Sequence, residues 1–102
     1  MDEAQFNRIA KALADPRRFE LLQRIAGAGE VEMACRRLVE EMPIAQATVS
    51  HHLKELSTAD LIDVRRDGQC YFYRFQASVM ADYTAELTRR LRTAAEQVVQ
   101  PE

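Results

Sequence analysis

The stretch QATVSHHLKEL, from Gln46 to Leu56, places polar groups able to recognise a ligand beside apolar groups able to fix their position. Val49, Leu53 and Leu56 are spaced four and three apart, which is one side of an α-helix. At about 100° per residue, Ala47, Thr48, His51, Lys54 and Glu55 fall on the opposite side, with Ser50 at the flank. A small face bearing hydroxyls and an imidazole can enter a DNA major groove, where such groups reach base edges and a lysine reaches phosphate. The same pattern also describes an ordinary solvated helix face, and this helix alone does not separate the two. Catalytic chemistry has less support. The chain shows no phosphate-binding loop, no clustered acid/base pair and no nucleophile-plus-base motif, so it is not expected to be an enzyme.

The elements around this helix follow from spacing and punctuation. Phe6, Ile9, Ala10 and Leu13 repeat at helical intervals between Asp2 and Leu13. Asp15-Pro16 reads as a cap followed by proline at the first helical position, starting a helix to about Ala26. Phe19, Leu21, Leu22 and Ile25 form its buried side, and Gly27-Ala28-Gly29 closes it. A third helix is expected from Val31, with Val31, Ala34, Cys35, Leu38 and Met42 on one face. Pro43 lacks an amide hydrogen and disfavours helix in the residue before it, so that helix should end near Met42 and the next begin near Gln46.

After Leu56 the period changes from helical to alternating. Leu61–Arg66 and Gln69–Phe75 read as strands, with Asp67-Gly68 as a hairpin signal between them. A two-residue loop is expected to set Arg65 opposite Cys70, Val64 opposite Tyr71 and Ile62 opposite Tyr73. Ile62, Val64, Tyr71, Tyr73 and Phe75 would then share a face that packs on the helices, leaving Asp63, Arg65, Cys70, Phe72 and Arg74 on a more polar face. A long helix from about Ser78 carries Met80, Tyr83, Leu87, Leu91, Ala94 and Val98 as a stripe. A chain of 102 residues supports one small domain, which can hardly cover that stripe internally. Dimerisation through this helix, together with the first, is the natural outlet. The expected fold is mainly α with a small β-hairpin: a winged helix-turn-helix of about five helices and a two-stranded wing, forming a single domain over residues 1–102.

Composition narrows the setting. No apolar run approaches the roughly 20 residues of a membrane span, and MDEAQFNR lacks a signal-peptide pattern, so a cytoplasmic protein with no membrane partner is expected. Two cysteines are too few for a disulfide scaffold and should be reduced there. The formal net charge of −2 argues against a generic polyanion binder, but not against a specific DNA binder with locally placed cations.

A helix-turn-helix followed by a hairpin with a basic tip is a winged-helix arrangement, and three segments resemble the ArsR/SmtB family of bacterial transcriptional repressors. They are KALADPRRFELLQRI (Lys11–Ile25), ATVSHHLKELSTADLI (Ala47–Ile62) and VRRDGQCYFYRF (Val64–Phe75). The resemblance implies a homodimer joined through the first and last helices, with Phe6, Ile9, Met80, Tyr83, Leu87 and Leu91 in the interface. It also implies binding to double-stranded DNA at an inverted-repeat operator, released by a signal. By position, Gln46, Thr48, Ser50, His51 and Lys54 would meet DNA from the recognition helix, and Arg65, Arg66 and Gln69 from the wing. Arginine suits that task because its fork donates to phosphate without losing charge; the alternative for Arg65 and Arg66 is solubilising surface. His52 lies nearer the core side, leaving open a phosphate or backbone contact or a packing role. Ala45 stands where the family often has a capping serine, and Asp60 where it usually has a turn glycine.

The signal is not identified by these residues. The last helix has Asp82 and Glu86 but no histidine, which disfavours zinc there, and neither a metal site nor a cofactor is expected. Cys35 and Cys70 leave two sensing routes, a thiophilic metalloid or metal and an oxidant, beside the plainer reading of a core thiol and an ordinary strand residue. The leading expectation is a homodimeric repressor. The alternative is a winged-helix protein-interaction module without an operator.

Overall fold

In a computed structural model, which describes residues 1–98, eight elements follow in order. They are α1 (Glu3–Ala14), α2 (Pro16–Gly27), β1 (Met33–Ala34), α3 (Cys35–Glu41), α4 (Gln46–Thr58), β2 (Ile62–Asp67), β3 (Cys70–Phe75) and α5 (Ala77–Val98). Local chemistry sets most of these limits. Asp2 caps α1 by accepting from the Gln5 amide at 2.8 Å. Asp15 caps α2 by accepting from the amides of Arg17 and Arg18 at 2.9 and 3.1 Å, with Pro16 at the first helical position.

The end of α4 is a full Schellman motif. Leu61 donates to the Leu56 carbonyl and Asp60 to the Ser57 carbonyl, each at 3.0 Å. Asp60 holds the left-handed position, at φ 63°, in which glycine is usual. At the start of α4, by contrast, Ala45 supplies no side-chain cap.

The core is assembled by the apolar faces of the helices and the base of the sheet. Ile9 and Ala12 from α1, Leu21, Leu22 and Ile25 from α2, Leu38 from α3, and Val49, Leu53 and Leu56 from α4 are buried in one cluster. α2 packs on α1, α4 and β3, so it is the element around which the others gather. Phe19 does not join its buried side: on the outer flank of α2, it is 42% exposed.

Three expectations about the sheet and its approach are corrected. First, no helix begins at Val31. That residue is 70% exposed, and Met33–Ala34 instead form a short strand pairing with Tyr73 and Phe72 of β3. The sheet is therefore three-stranded, in the order β1-β3-β2. Backbone pairing that only tertiary contact can provide overrode the apolar spacing of this segment.

Second, the hairpin closes with Asp67 opposite Cys70, so Arg65 faces Phe72, Val64 faces Tyr73 and Ile62 faces Phe75. The loop is Gly68-Gln69, with Gly68 at φ 63°, the arrangement in which glycine takes the first position of a two-residue turn. This register differs by two residues from the expected one. Because the side-chain period is also two, every residue keeps its expected face.

Third, the inner face packs only at its base. Ile62 and Tyr73 are buried and Phe75 is half-buried, whereas Val64 and Tyr71 stand exposed towards the tip.

α5 is anchored to α1 and then runs past the domain. The Phe6 and Tyr83 rings lie 5.1 Å apart, and the Arg90 guanidinium sits 3.8 Å from the Phe6 ring centre. Arg90 also pairs with Glu3 at 2.8 Å and Glu86 at 2.9 Å, while Arg89 pairs with Glu86 as well. These two guanidinium groups, Arg89 first, hold the Glu86 carboxyl down at about 2.

Beyond this anchor Leu91 is 63% exposed, and the molecule is 62 Å long against 24 and 22 Å across. The side chain of Val98, the last residue of the apolar stripe, lies outside the described residues.

Candidate nucleic-acid interface

The buried positions of α4 are Val49, His52, Leu53 and Leu56, so the helix is fixed along one side. Its other side is fully presented: Gln46, Ala47, Thr48, Ser50, His51 and Lys54 are all exposed. Among the described residues, no hydrogen bond or ion pair engages the side chains of Gln46, Thr48, Ser50, His51 or Lys54. A row of unengaged hydroxyl, amide, imidazole and ammonium groups on a rigid helix has its donors and acceptors available to a partner.

His52 is settled by its surroundings. It is 6% exposed, and its Nδ1 accepts from Arg18 Nε at 3.3 Å while Nε2 lies 4.0 Å from Asp15 Oδ1. It is thus a packing histidine that joins the recognition helix to the capped start of α2. Burial pushes its pKa below 6.5, Asp15 pulls it back up, and Arg18 and His51 push it down. Asp15 is itself held below the usual carboxylate range, chiefly by the Arg18 amide. Sequence reasoning missed Arg18 in this role. Its only signal was proximity to the Asp-Pro cap, which does not say what the side chain meets.

The wing presents its cations unequally. Arg66 donates through Nε to the Gly68 carbonyl at 2.8 Å and lies 5.6 Å from the Tyr71 ring centre, at the tip beside exposed Gln69. Arg65 is tied instead to Glu32, a residue that sequence reasoning did not single out, because nothing local links the two. Acidic Asp67 also lies at the tip, so the wing end is mixed in charge rather than wholly basic.

Both cysteines border one cleft of ≈ 680 Å³ between α3, the start of α4 and the wing. Gln46 and Ser50 of α4 and Gln69 of the turn share that lining. Cys35 is half-buried and Cys70 exposed. The buried Tyr73 hydroxyl is pushed up to about 12, by burial first and then by Cys35 beside it. Among the described residues, no group of three or more His, Cys, Asp or Glu side chains is placed to hold a metal ion.

Of the residues expected at a subunit interface, Ile9 is fully covered within its own chain, and Tyr83 is buried against Phe6. Both therefore belong to the protomer core. Phe6, Met80 and Leu87 are half-buried and Leu91 is exposed, so these four retain surface to share.

A helix-turn-helix whose second helix is bare on one side, followed by a hairpin beside it, defines a winged-helix DNA-binding regulator. The comparisons agree. The helix-turn-helix domain family matches residues 13–65. The arsenical resistance operon repressor of Staphylococcus aureus is 32% identical over 87 residues, 85% of this chain and 81% of the relative. Transcriptional repressor SdpR of Bacillus subtilis (strain 168) is 32% identical over 76 residues, 74% of this chain and 81% of the relative. A solution structure of the homodimeric winged helix-turn-helix DNA-binding domain Mb0332 of Mycobacterium bovis, a possible ArsR-family transcriptional regulator, has a TM-score of 0.67 at 24% identity. That likeness covers 95% of this chain and 83% of the other.

The chain belongs to the ArsR/SmtB family of winged-helix transcriptional regulators. This is a family of DNA-binding proteins rather than of enzymes. No helix among the described residues is long and apolar enough to cross a membrane.

Proposed function

We propose that this protein is a cytoplasmic homodimeric repressor that reads a short inverted-repeat operator. The observation that carries the proposal is the contrast across α4: a buried side of Val49, His52, Leu53 and Leu56 opposite a row of unengaged polar groups. Gln46, Thr48, Ser50, His51 and Lys54 meet the major groove, with Arg66 and Gln69 reaching the flanking backbone or minor groove. The projecting end of α5, with Leu91 and Leu87, joins two protomers so that two such helices face one side of the duplex. Half-sites about 34–36 Å apart, one helical turn of DNA, are the spacing a two-fold dimer of this kind selects.

Operator binding across a salt series tests the contact residues. His51→Ala should weaken binding about five- to a hundred-fold while leaving the dimer folded, as loss of a base contact does. Arg66→Ala should weaken binding and lower the salt slope by about one, because one phosphate contact is lost. Tight binding by both variants at unchanged slope rejects the assignment. Failure of random duplex DNA selection to enrich any site, together with a stable protein partner in pull-downs, would instead point to an interaction module.

Release of DNA is proposed to act through the cleft that Cys35 and Cys70 share with the recognition helix and the wing turn. A thiol adduct there would crowd both DNA-contacting elements at once. Titration of the protein–operator complex with arsenite, zinc, cadmium and peroxide, repeated on Cys35→Ser and Cys70→Ser, reads this directly. Release by any of these agents that both serine variants resist supports thiol sensing; retention of DNA against all four removes it.

A further inference from the structure

Arg65 stands on the outer face of the wing, opposite Phe72 of β3. β3 is the middle strand, and Glu32 immediately precedes β1 on its far side. Arg65 Nε donates to both carboxylate oxygens of Glu32, at 2.8 and 2.9 Å. The Arg65 guanidinium carbon lies 4.5 Å from the centre of the Phe72 ring. The side chain therefore leaves β2, crosses the middle strand over an aromatic ring, and ends on a carboxylate at the head of β1. Together the Arg65 and Glu32 side chains bridge the three strands. The stack also explains why Phe72, on the solvent face, is only half-exposed.

The wing needs such a tie. After Ile62 every residue of β2 is exposed, and β1 pairs with only two residues of β3. A two-stranded hairpin with so little buried surface is marginal in water by itself. A planar guanidinium that stacks on a ring while its Nε binds a carboxylate is a geometry a lysine cannot reproduce.

We infer that Arg65 is a positioning residue rather than a phosphate ligand. With Glu32 and Phe72 it forms a strap that ties β2 across β3 to the head of β1 and so holds the wing to the rest of the sheet, leaving Arg66 to meet the backbone. Its effect on DNA rests on the proposal above that the wing meets the duplex. The sign of the Glu32 effect separates the strap from simple competition, in which Glu32 withholds a phosphate-binding arginine from DNA.

Operator binding across a salt series, with Arg65→Ala, Arg65→Lys, Glu32→Gln and the Glu32→Gln/Arg65→Ala double variant, gives the first readout. Each single variant should weaken binding about three- to ten-fold at unchanged salt slope, and the double variant should be no weaker than the singles. Amide exchange of β2 and β3 in the DNA-free protein gives the second, and should quicken in all four variants. Tighter binding by Glu32→Gln overturns the strap. So does a slope lowered by about one in Arg65→Ala and restored in Arg65→Lys. If the wild-type protein binds no duplex, the operator proposal fails while amide exchange still decides the strap: quicker exchange supports it and unchanged exchange rejects it.

Discussion

His52 occupies the buried side of a helix whose outer side is polar, and its environment resists protonation. The sign of the consequence is fixed. As pH falls through 6.5 the unfolded chain takes up a proton at this imidazole while the folded protein holds out to lower pH, so stability declines on the acid side. Thermal melts at pH 7.5, 6.5 and 5.5 should show a falling midpoint, with a shallower fall in His52→Asn. Equal pH dependence in both proteins would mean that another group governs it. Protonation would also turn Nδ1 from acceptor to donor, breaking its bond with Arg18 and loosening the recognition helix from α2.

At the level of elements, the two ends of α4 are unequal. The C-terminal end is closed by a Schellman motif despite an aspartate at the left-handed position, whereas the N-terminal end has no side-chain cap. Ala45 already has the extended backbone of a capping residue, so Ala45→Ser should stabilise the fold by about 0.5–2 kcal/mol. Urea unfolding measures this, and a midpoint that does not rise would show that the site cannot direct its hydroxyl to the free amides. On the buried side, Leu56→Ala should cost about 2–5 kcal/mol, since the fully covered side chain leaves a cavity among helices that cannot all close in.

The whole molecule is an anchored lever. α5 is pinned to α1 by the Phe6–Tyr83 contact and by Arg90, and then extends beyond the core. Leu91→Asp should therefore leave helix content unchanged, because the side chain supports no core contact, yet shift sedimentation from dimer to monomer and lower operator affinity steeply. An unchanged dimer would move the interface elsewhere. The stability contributed by Glu86 through its pairing with Arg89 and Arg90 on α5 is fully present above the ordinary carboxylate pKa of 4.5 and is lost as pH falls towards 2. Mild acid should accordingly spare the Glu86 pairing that holds Arg90 within α5 while it erodes the His52 contact.

Much of this was determined by the sequence alone, because the governing physics is local. The Asp15-Pro16 cap, the Val49–Leu53–Leu56 stripe, the exposed row from Thr48 to Lys54 and the hairpin at Gly68 each follow from residues a few positions apart. Tertiary structure alone decided what depends on distant partners. Met33–Ala34 became a strand because the edge of β3 was open to it. Arg65 found its partner in Glu32, a carboxylate 33 residues away in the chain. The gathering of Cys35 and Cys70 around one cleft is likewise invisible in one dimension, since the chain between them must first fold into the recognition helix.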